Sequence, residues 1–162
     1  MALAKIISGG QTGVDRGALD AALAADFPCG GWCPADRSAE DGLIPERYPM
    51  SMFTEGGYRL RTLKNVQLSD GTAIFFSQSL SGGTKLARDM CIREKKPFIV
   101  LDATQISVER AVKAVVRFIG ENELQTMNVA GPRASGWPAG YEFALAVVSG
   151  VIEKCGTPHC TH

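Results

Sequence analysis

The segment Ser8-Gly9-Gly10-Gln11-Thr12-Gly13 carries three glycines in its last five residues, directly after the apolar run Ala4 to Ser8. Glycine has no Cβ, so the backbone N–H groups of such a loop can come close to a ligand. A helix starting just beyond would present its positive end to the same space, and the two together favour phosphate. Ser8 and Thr12 add hydroxyls, Gln11 adds an amide, and Asp15 stands where the helix should begin, as a cap or as a partner for a ribose hydroxyl. The pattern is neither the dinucleotide fingerprint G-x-G-x-x-G nor the G-x-x-x-x-G-K-[ST] loop. Its plainest alternative is a tight turn.

Two further loops repeat the theme. Ser81-Gly82-Gly83-Thr84-Lys85 follows the apolar run Thr72–Phe76, and its lysine could meet a phosphate as a point charge. Gly131-Pro132-Arg133-Ala134-Ser135 follows Met127–Ala130 and offers a guanidinium, which can grip a phosphate or carboxylate at two points. Taken singly, Lys85 and Arg133 also read as ordinary surface charges. Three such loops in one chain favour a shared anion site.

The elements that must position these loops alternate. Strands are expected at residues 4–8, 27–33, 72–76, 97–101 and 127–130. Helices are expected at 15–25, 57–68, 84–95 and 107–121, with a last one beginning near Pro138. Their inward faces are drawn by Ala18, Leu19, Ala22 and Leu23, by Leu60, Leu63 and Val66 or Gln67, by Leu86, Ala87, Met90 and Cys91, by Val108, Val112, Val115, Val116 and Ile119, and by Tyr141, Leu145, Val148 and Ile152. Thr12 with Asp15 resembles a capping box. Alternating strands and helices imply an α/β fold with a mostly parallel sheet. In such a sheet ligands bind beyond the carboxyl ends of the strands, where all three loops lie. Residues 34–55 read as one long irregular loop, in which Asp36, Arg37, Glu40 and Asp41 are candidates for a lid. One domain over residues 1–155 with a frayed tail at 156–162 is expected.

Seventeen basic and seventeen acidic residues cancel over 162 positions. That argues against nucleic acid held on a broad basic face. No apolar run approaches the ~18 residues of a membrane span, and no secretory signal is evident, so a cytoplasmic location is expected. Five cysteines, Cys29, Cys33, Cys91, Cys155 and Cys160, read as free thiols. Cys155, His159, Cys160 and His162 gather zinc-binding residue types near the end, but their spacing fits no metal pattern. Trp32 and Trp137 could stack on a flat ring or simply cover a core edge.

The stretch ISGGQTGVDRGALD at residues 7–20 resembles the opening motif of the "putative molybdenum carrier" family, a circularly permuted branch of the SLOG superfamily. Arg61, Thr62 and Asn65, the run from Gly71 to Phe76 leading to Ser81–Thr84, and NVAGPRAS at 128–135 extend the likeness over nearly the whole chain. The resemblance implies a Rossmann-like three-layer domain, self-association, and binding of molybdenum cofactor, a pterin carrying a phosphate. A nucleotide is the other ligand it suggests. Some superfamily members cleave the bond between base and ribose phosphate with a Glu in the motif P-G-G-x-G-T-x-x-E. Here Ala87 stands at that position, which favours binding over hydrolysis unless Asp15, Asp89 or Glu142 takes over. An interaction module whose glycine loops are only turns is the remaining alternative.

Overall fold

The computed structural model describes residues 2–54 and 56–156. Five strands form one parallel sheet: β1 (Lys5–Ile7), β2 (Cys29–Gly30), β7 (Gly71–Phe76), β8 (Phe98–Asp102) and β9 (Thr126–Ala130), in the order β2-β1-β9-β7-β8. Between them run helices α1 (Val14–Ala24), α2 (Tyr58–Leu68), α3 (Gly82–Arg93) and α4 (Val108–Asn122), and α5 (Gly140–Cys155) follows β9. The last strand is central. Ile6 pairs with Met127 on one side of β9, and Thr72 pairs with Asn128 on the other. Helix α5 packs between α1 and α4, while α2 packs on α3, so helices form two layers around the sheet. This is the three-layer Rossmann-like architecture that the alternating pattern and the resemblance lead one to expect.

The main core lies under α1, α4 and α5, where Ile6, Phe75, Met127, Val115, Val147 and Val151 are fully or nearly fully buried. A smaller cluster of Val66, Met90 and Cys91 seals α2 and α3. Several helix faces are rotated from the sequence expectation. Leu23, Leu60 and Val108 face solvent. In α5 the fully buried stripe is Ala144, Val147, Val148 and Val151, with Tyr141, Leu145 and Ile152 at its margins. Small residues face inward there because α1 and α5 approach closely at Gly17, whose Cβ would lie 2.3 Å from the Tyr141 carbonyl oxygen. Helix α3 begins at Gly82 rather than Thr84, and α5 begins two residues after Pro138.

The expected strand at 27–33 is two strands. Cys29–Gly30 joins the sheet beside β1, whereas β3 (Trp32–Cys33) pairs in parallel with β6 (Ser51–Met52) in a separate ladder. The break falls at Gly31, with φ +134°, and a Cβ there would sit 1.9 Å from the Ser8 carbonyl oxygen. The segment 34–55 is also more ordered than its composition suggests. It folds into an antiparallel hairpin, β4 (Ser38–Ala39) with β5 (Gly42–Leu43), and buries Ile44 and Tyr48 against Leu19 and Cys33. Arg37 stitches the segment to itself by donating to the carbonyls of Ile44, Pro45 and Tyr48.

Cys29, Cys33, Cys91 and Cys155 are free thiols. Burial raises the Cys91 thiol above its ordinary range, in keeping with a packing role. Cys160 and both histidines lie outside the described residues. No helix among the described residues is long and apolar enough to cross a membrane. Gly31→Ala combines a disfavoured backbone angle with a clash against main chain, and should lower stability by about 2–4 kcal/mol in urea unfolding.

Candidate functional site

The loops after β1, β7 and β9 meet at the carboxyl edge of the sheet, and α2 closes the fourth side. They enclose a cavity of about 680 Å³, within the range usual for small-molecule sites. Of the sequence candidates, Gly9, Gln11, Asp15, Ser81, Gly82, Gly83, Thr84, Gly131 and Arg133 line it. Ser8, Gly10, Thr12, Gly13, Lys85 and Ser135 do not, and of these all but Lys85 serve the walls instead. The buried Ser8 hydroxyl donates to the Asp15 carbonyl, 3.1 Å. Gly13, with φ +84°, lets the loop after β1 (loop 1) approach the loop after β9 (loop 3): a Cβ there would meet the Pro132 oxygen at 2.6 Å. Lys85 is an exposed residue of the first turn of α3.

The amides of loop 1 are largely used within the protein, which changes the expected phosphate cradle. Gly10 N–H donates to Ser8 Oγ at 3.3 Å, Gln11 N–H to Asp15 Oδ2 at 3.2 Å, Thr12 N–H to Gln11 Oε1 at 3.0 Å, and Val14 N–H to the Pro132 carbonyl at 3.4 Å. Asp15 is therefore no capping-box partner of Thr12. Gly13 is the N-cap of α1 and no side chain caps it. The Asp15 carboxylate is itself the anion at this loop. Burial pushes its pKa up to about 6, against the pull of Arg61, the Gln11 amide, Arg16 and the Gly9 amide.

Helix α3 offers a more open anion position. The amides of Gly82, Gly83 and Thr84 have no hydrogen-bond partner among the described residues, and no side chain caps the helix. Thr84 is buried in the wall beside them, and Ser77, Ser79 and Ser81 ring the approach.

Helix α2 supplies what sequence reasoning missed. Its inward face carries Arg61, Thr62 and Asn65 beside Val66, so much of the face that should be apolar is polar. Asn65 accepts from the Trp32 N–H at 2.8 Å and donates to the Trp32 carbonyl at 3.0 Å, fixing α2 to β3. Arg61 is only 8% exposed. Its Nη1 donates to the Gly9 carbonyl at 3.3 Å and lies 3.6 Å from Asp15 Oδ2. Its plane lies over the Tyr58 ring, 4.6 Å from the centroid. Its Nε is buried without a hydrogen-bond partner, alone in this respect among the described residues. Asn128, another missed residue, reaches the cavity from the centre of the sheet and donates to Thr72 Oγ1 at 3.3 Å. A signal was present for α2: three polar side chains at spacing i, i+1, i+4 on a helix that must bury one face.

Tyr58 is the aromatic residue of the cavity wall. Trp32 stacks on Phe53, and Trp137 packs against Phe143 at the edge of the main core. Ala87 lines the cavity and is buried.

The β4–β5 hairpin lies against the rim. Arg16 holds both carboxylate oxygens of Asp41, and its Nε donates to the Gly10 carbonyl at 3.2 Å. Glu40 Oε1 accepts from Thr12 Oγ1 at 2.9 Å and from the Ser135 N–H at 3.1 Å, while Oε2 accepts from the Ser135 hydroxyl. Arg133 Nε is 3.3 Å from the same carboxylate. The Ser135 hydroxyl above all, with Thr12 and Arg133, holds the Glu40 carboxyl below its usual range. Glu40 thus joins the first and third loops, and the Arg133 charge is partly met by it.

These features define a class: a Rossmann-like α/β protein with a ligand-sized polar cavity at the carboxyl edge of its sheet. Residues 6–152 match the circularly permutated YpsA SLOG family, and the chain belongs to that family. It is similar to a solved structure from Syntrophus aciditrophicus SB named "putative molybdenum carrier protein", at 40% identity and a TM-score of 0.91, covering 93% of this chain and 96% of that one. No curated protein matches the chain.

The Asp15 shift fixes a pH dependence. A carboxyl titrating near 6 when folded and near 3.8 when unfolded binds its proton more tightly in the folded state. Its cost is absent below pH 4 and grows until pH passes 6. In urea unfolding, Asp15→Asn should gain on the wild type by about 1–3 kcal/mol between pH 4 and pH 7.

Proposed function

We propose that this protein binds and carries a small phosphorylated heterocycle. Its phosphate sits between the start of α3 and Arg61, and its ring lies toward Tyr58. The observation that carries the reading is the Arg61 side chain, a buried guanidinium in the cavity wall with an unpartnered Nε. A buried donor left unpaired costs about 1–3 kcal/mol, and a phosphate oxygen would relieve it. The free amides of Gly83 and Thr84 and the Thr84 hydroxyl would complete an anion pocket of the kind helix starts provide. Among the sequence candidates, this places Ser81, Gly82, Gly83, Thr84 and Arg133 nearest the phosphate, and gives Gly9, Gln11, Asp15 and Gly131 the opposite wall.

Similarity to a protein named for molybdenum carriage makes molybdenum cofactor the first candidate. The donor set fits the phosphate and the flat ring. Among the described residues neither a cysteine nor a histidine lines the cavity, and the groups that do line it would hold this cargo by its organic part. A nucleotide satisfies the same groups. Ala87 in the wall, where hydrolytic relatives carry Glu, supports carriage over cleavage. Self-association in the cytoplasm belongs to this reading, and sedimentation velocity checks the assembly.

Guanosine monophosphate is a practical probe, because guanine shares the 2-amino-4-oxo edge of a pterin. Calorimetry should show binding of the monophosphate and much weaker binding of guanosine. Arg61→Gln should lower affinity for the monophosphate about 10–100-fold, the scale of a lost hydrogen bond to a charged group. Equal binding of phosphorylated and unphosphorylated ligands would overturn the reading.

A further inference from the structure

The cavity holds a cation and an anion that face each other without closing. Asp15 is 6% exposed, and its carboxylate stands 3.6 Å from Arg61 Nη1, beyond hydrogen-bond distance. The other charges around them are committed. Arg16, next to Asp15 on α1, is held by Asp41 of the hairpin and by the Gly10 carbonyl. Arg133 of the third loop faces Glu40. From α2, Arg61 faces Asp15 directly, with the Tyr58 ring against its other side. The Arg61 charge is thus balanced by Asp15 and by no other carboxylate among the described residues.

A ligand phosphate entering beside Arg61 changes this balance. Two anions would then share one buried cation. Like charges so placed raise the pKa of the weaker acid until it takes a proton. Asp15 is the buried one of the two acids, fixed 3.6 Å from Arg61, and burial already pushes its pKa up to about 6. The protonated carboxyl can keep its place, since an acid oxygen still accepts from the Gln11 amide while its O–H can donate.

We propose that Asp15 is the resident anion of the site, that a ligand phosphate takes over its electrostatic role toward Arg61, and that Asp15 takes up a proton from solvent as the ligand binds. This rests on the phosphate reading above. It makes Asp15 a residue that sets the pH range of binding: ligand is held more tightly in mildly acidic solution and released as the pH rises. No covalent step is involved, and the proton returns to solvent when the ligand leaves.

Calorimetry with guanosine monophosphate, in buffers of different ionisation enthalpy at pH 6–8, tests this on wild type and Asp15→Asn. The phosphate of the probe titrates in this range, so the difference between the two proteins is the quantity read. The wild type should take up more protons per ligand than the variant at pH 7.5. Its affinity should fall with pH more steeply, by up to about ten-fold per pH unit relative to the variant. At pH 8 the variant should bind more tightly. Equal proton uptake with parallel pH profiles would overturn the inference while leaving phosphate binding intact. A variant weaker at every pH with an unchanged slope would overturn it too, making Asp15 a simple ligand contact. Failure of both proteins to bind the probe at any pH would remove the inference and the phosphate reading together. Infrared difference spectra of the wild type with and without probe at pH 7.5 read the same event without a variant. A gained protonated-carboxyl band supports the proposal, and its absence contradicts it.

Discussion

The site depends on a buried arginine. A guanidinium taken out of water is costly unless charge and hydrogen bonds surround it. Around Arg61 the fold supplies a carbonyl from Gly9, a carboxylate from Asp15 and an aromatic face from Tyr58. Each requires a particular local structure. Gly9 must lack a side chain, because a Cβ there would lie 2.4 Å from Arg61 Nη1. Gly83 must lack one for the Tyr58 ring to stay against the guanidinium, since a Cβ would fall on the tyrosine oxygen. The glycines of the first two loops therefore make room for protein groups as much as for a ligand.

The same constraint explains the hairpin at residues 38–43. Loops 1 and 3 are short and polar, with little apolar surface to hold them in register. Glu40 joins Thr12 to Ser135, and Asp41 anchors to Arg16. Ile44 and Tyr48 secure the base of the segment in a small core of their own. Exposed ion pairs contribute little individually. Here they act by bringing together two loops distant in the chain, and the cavity wall follows from that geometry.

Much of the fold was legible because the buried strands are continuous apolar runs and the glycine loops punctuate them. Thr72–Phe76 reads as a buried parallel strand and Met127–Ala130 as a short strand, and both lie inside the sheet. Other features were not legible. Gly31 ends one strand and begins another because it touches the main chain of Ser8, a contact distant in sequence. The helix at 58–68 reads as having a leucine face, yet Leu60 points outward and Arg61 inward, since part of its inward face lines a polar cavity and only Val66 and Leu63 reach a core. The first glycine loop lines the cavity through Gly9 and Gln11. That its amides are occupied is not legible, because their partners are Ser8, Gln11, Pro132 and an Asp15 carboxylate that looks like a cap until the helix start is seen. In the sequence, Arg61, Thr62 and Asn65 stand out only through the family likeness. Their chemistry became apparent only when α2 closed over the other three walls.

The central claim is that Arg61 and the start of α3 form the anion-binding end of this cavity. A crystal structure with guanosine monophosphate tests it most directly. The account predicts a phosphate within hydrogen-bond distance of Arg61 Nε and of the Gly83 and Thr84 amides, with the base toward Tyr58. A phosphate seated instead on the loop 1 amides, or a ligand outside the cavity with Arg61 Nε still unpartnered, would contradict it.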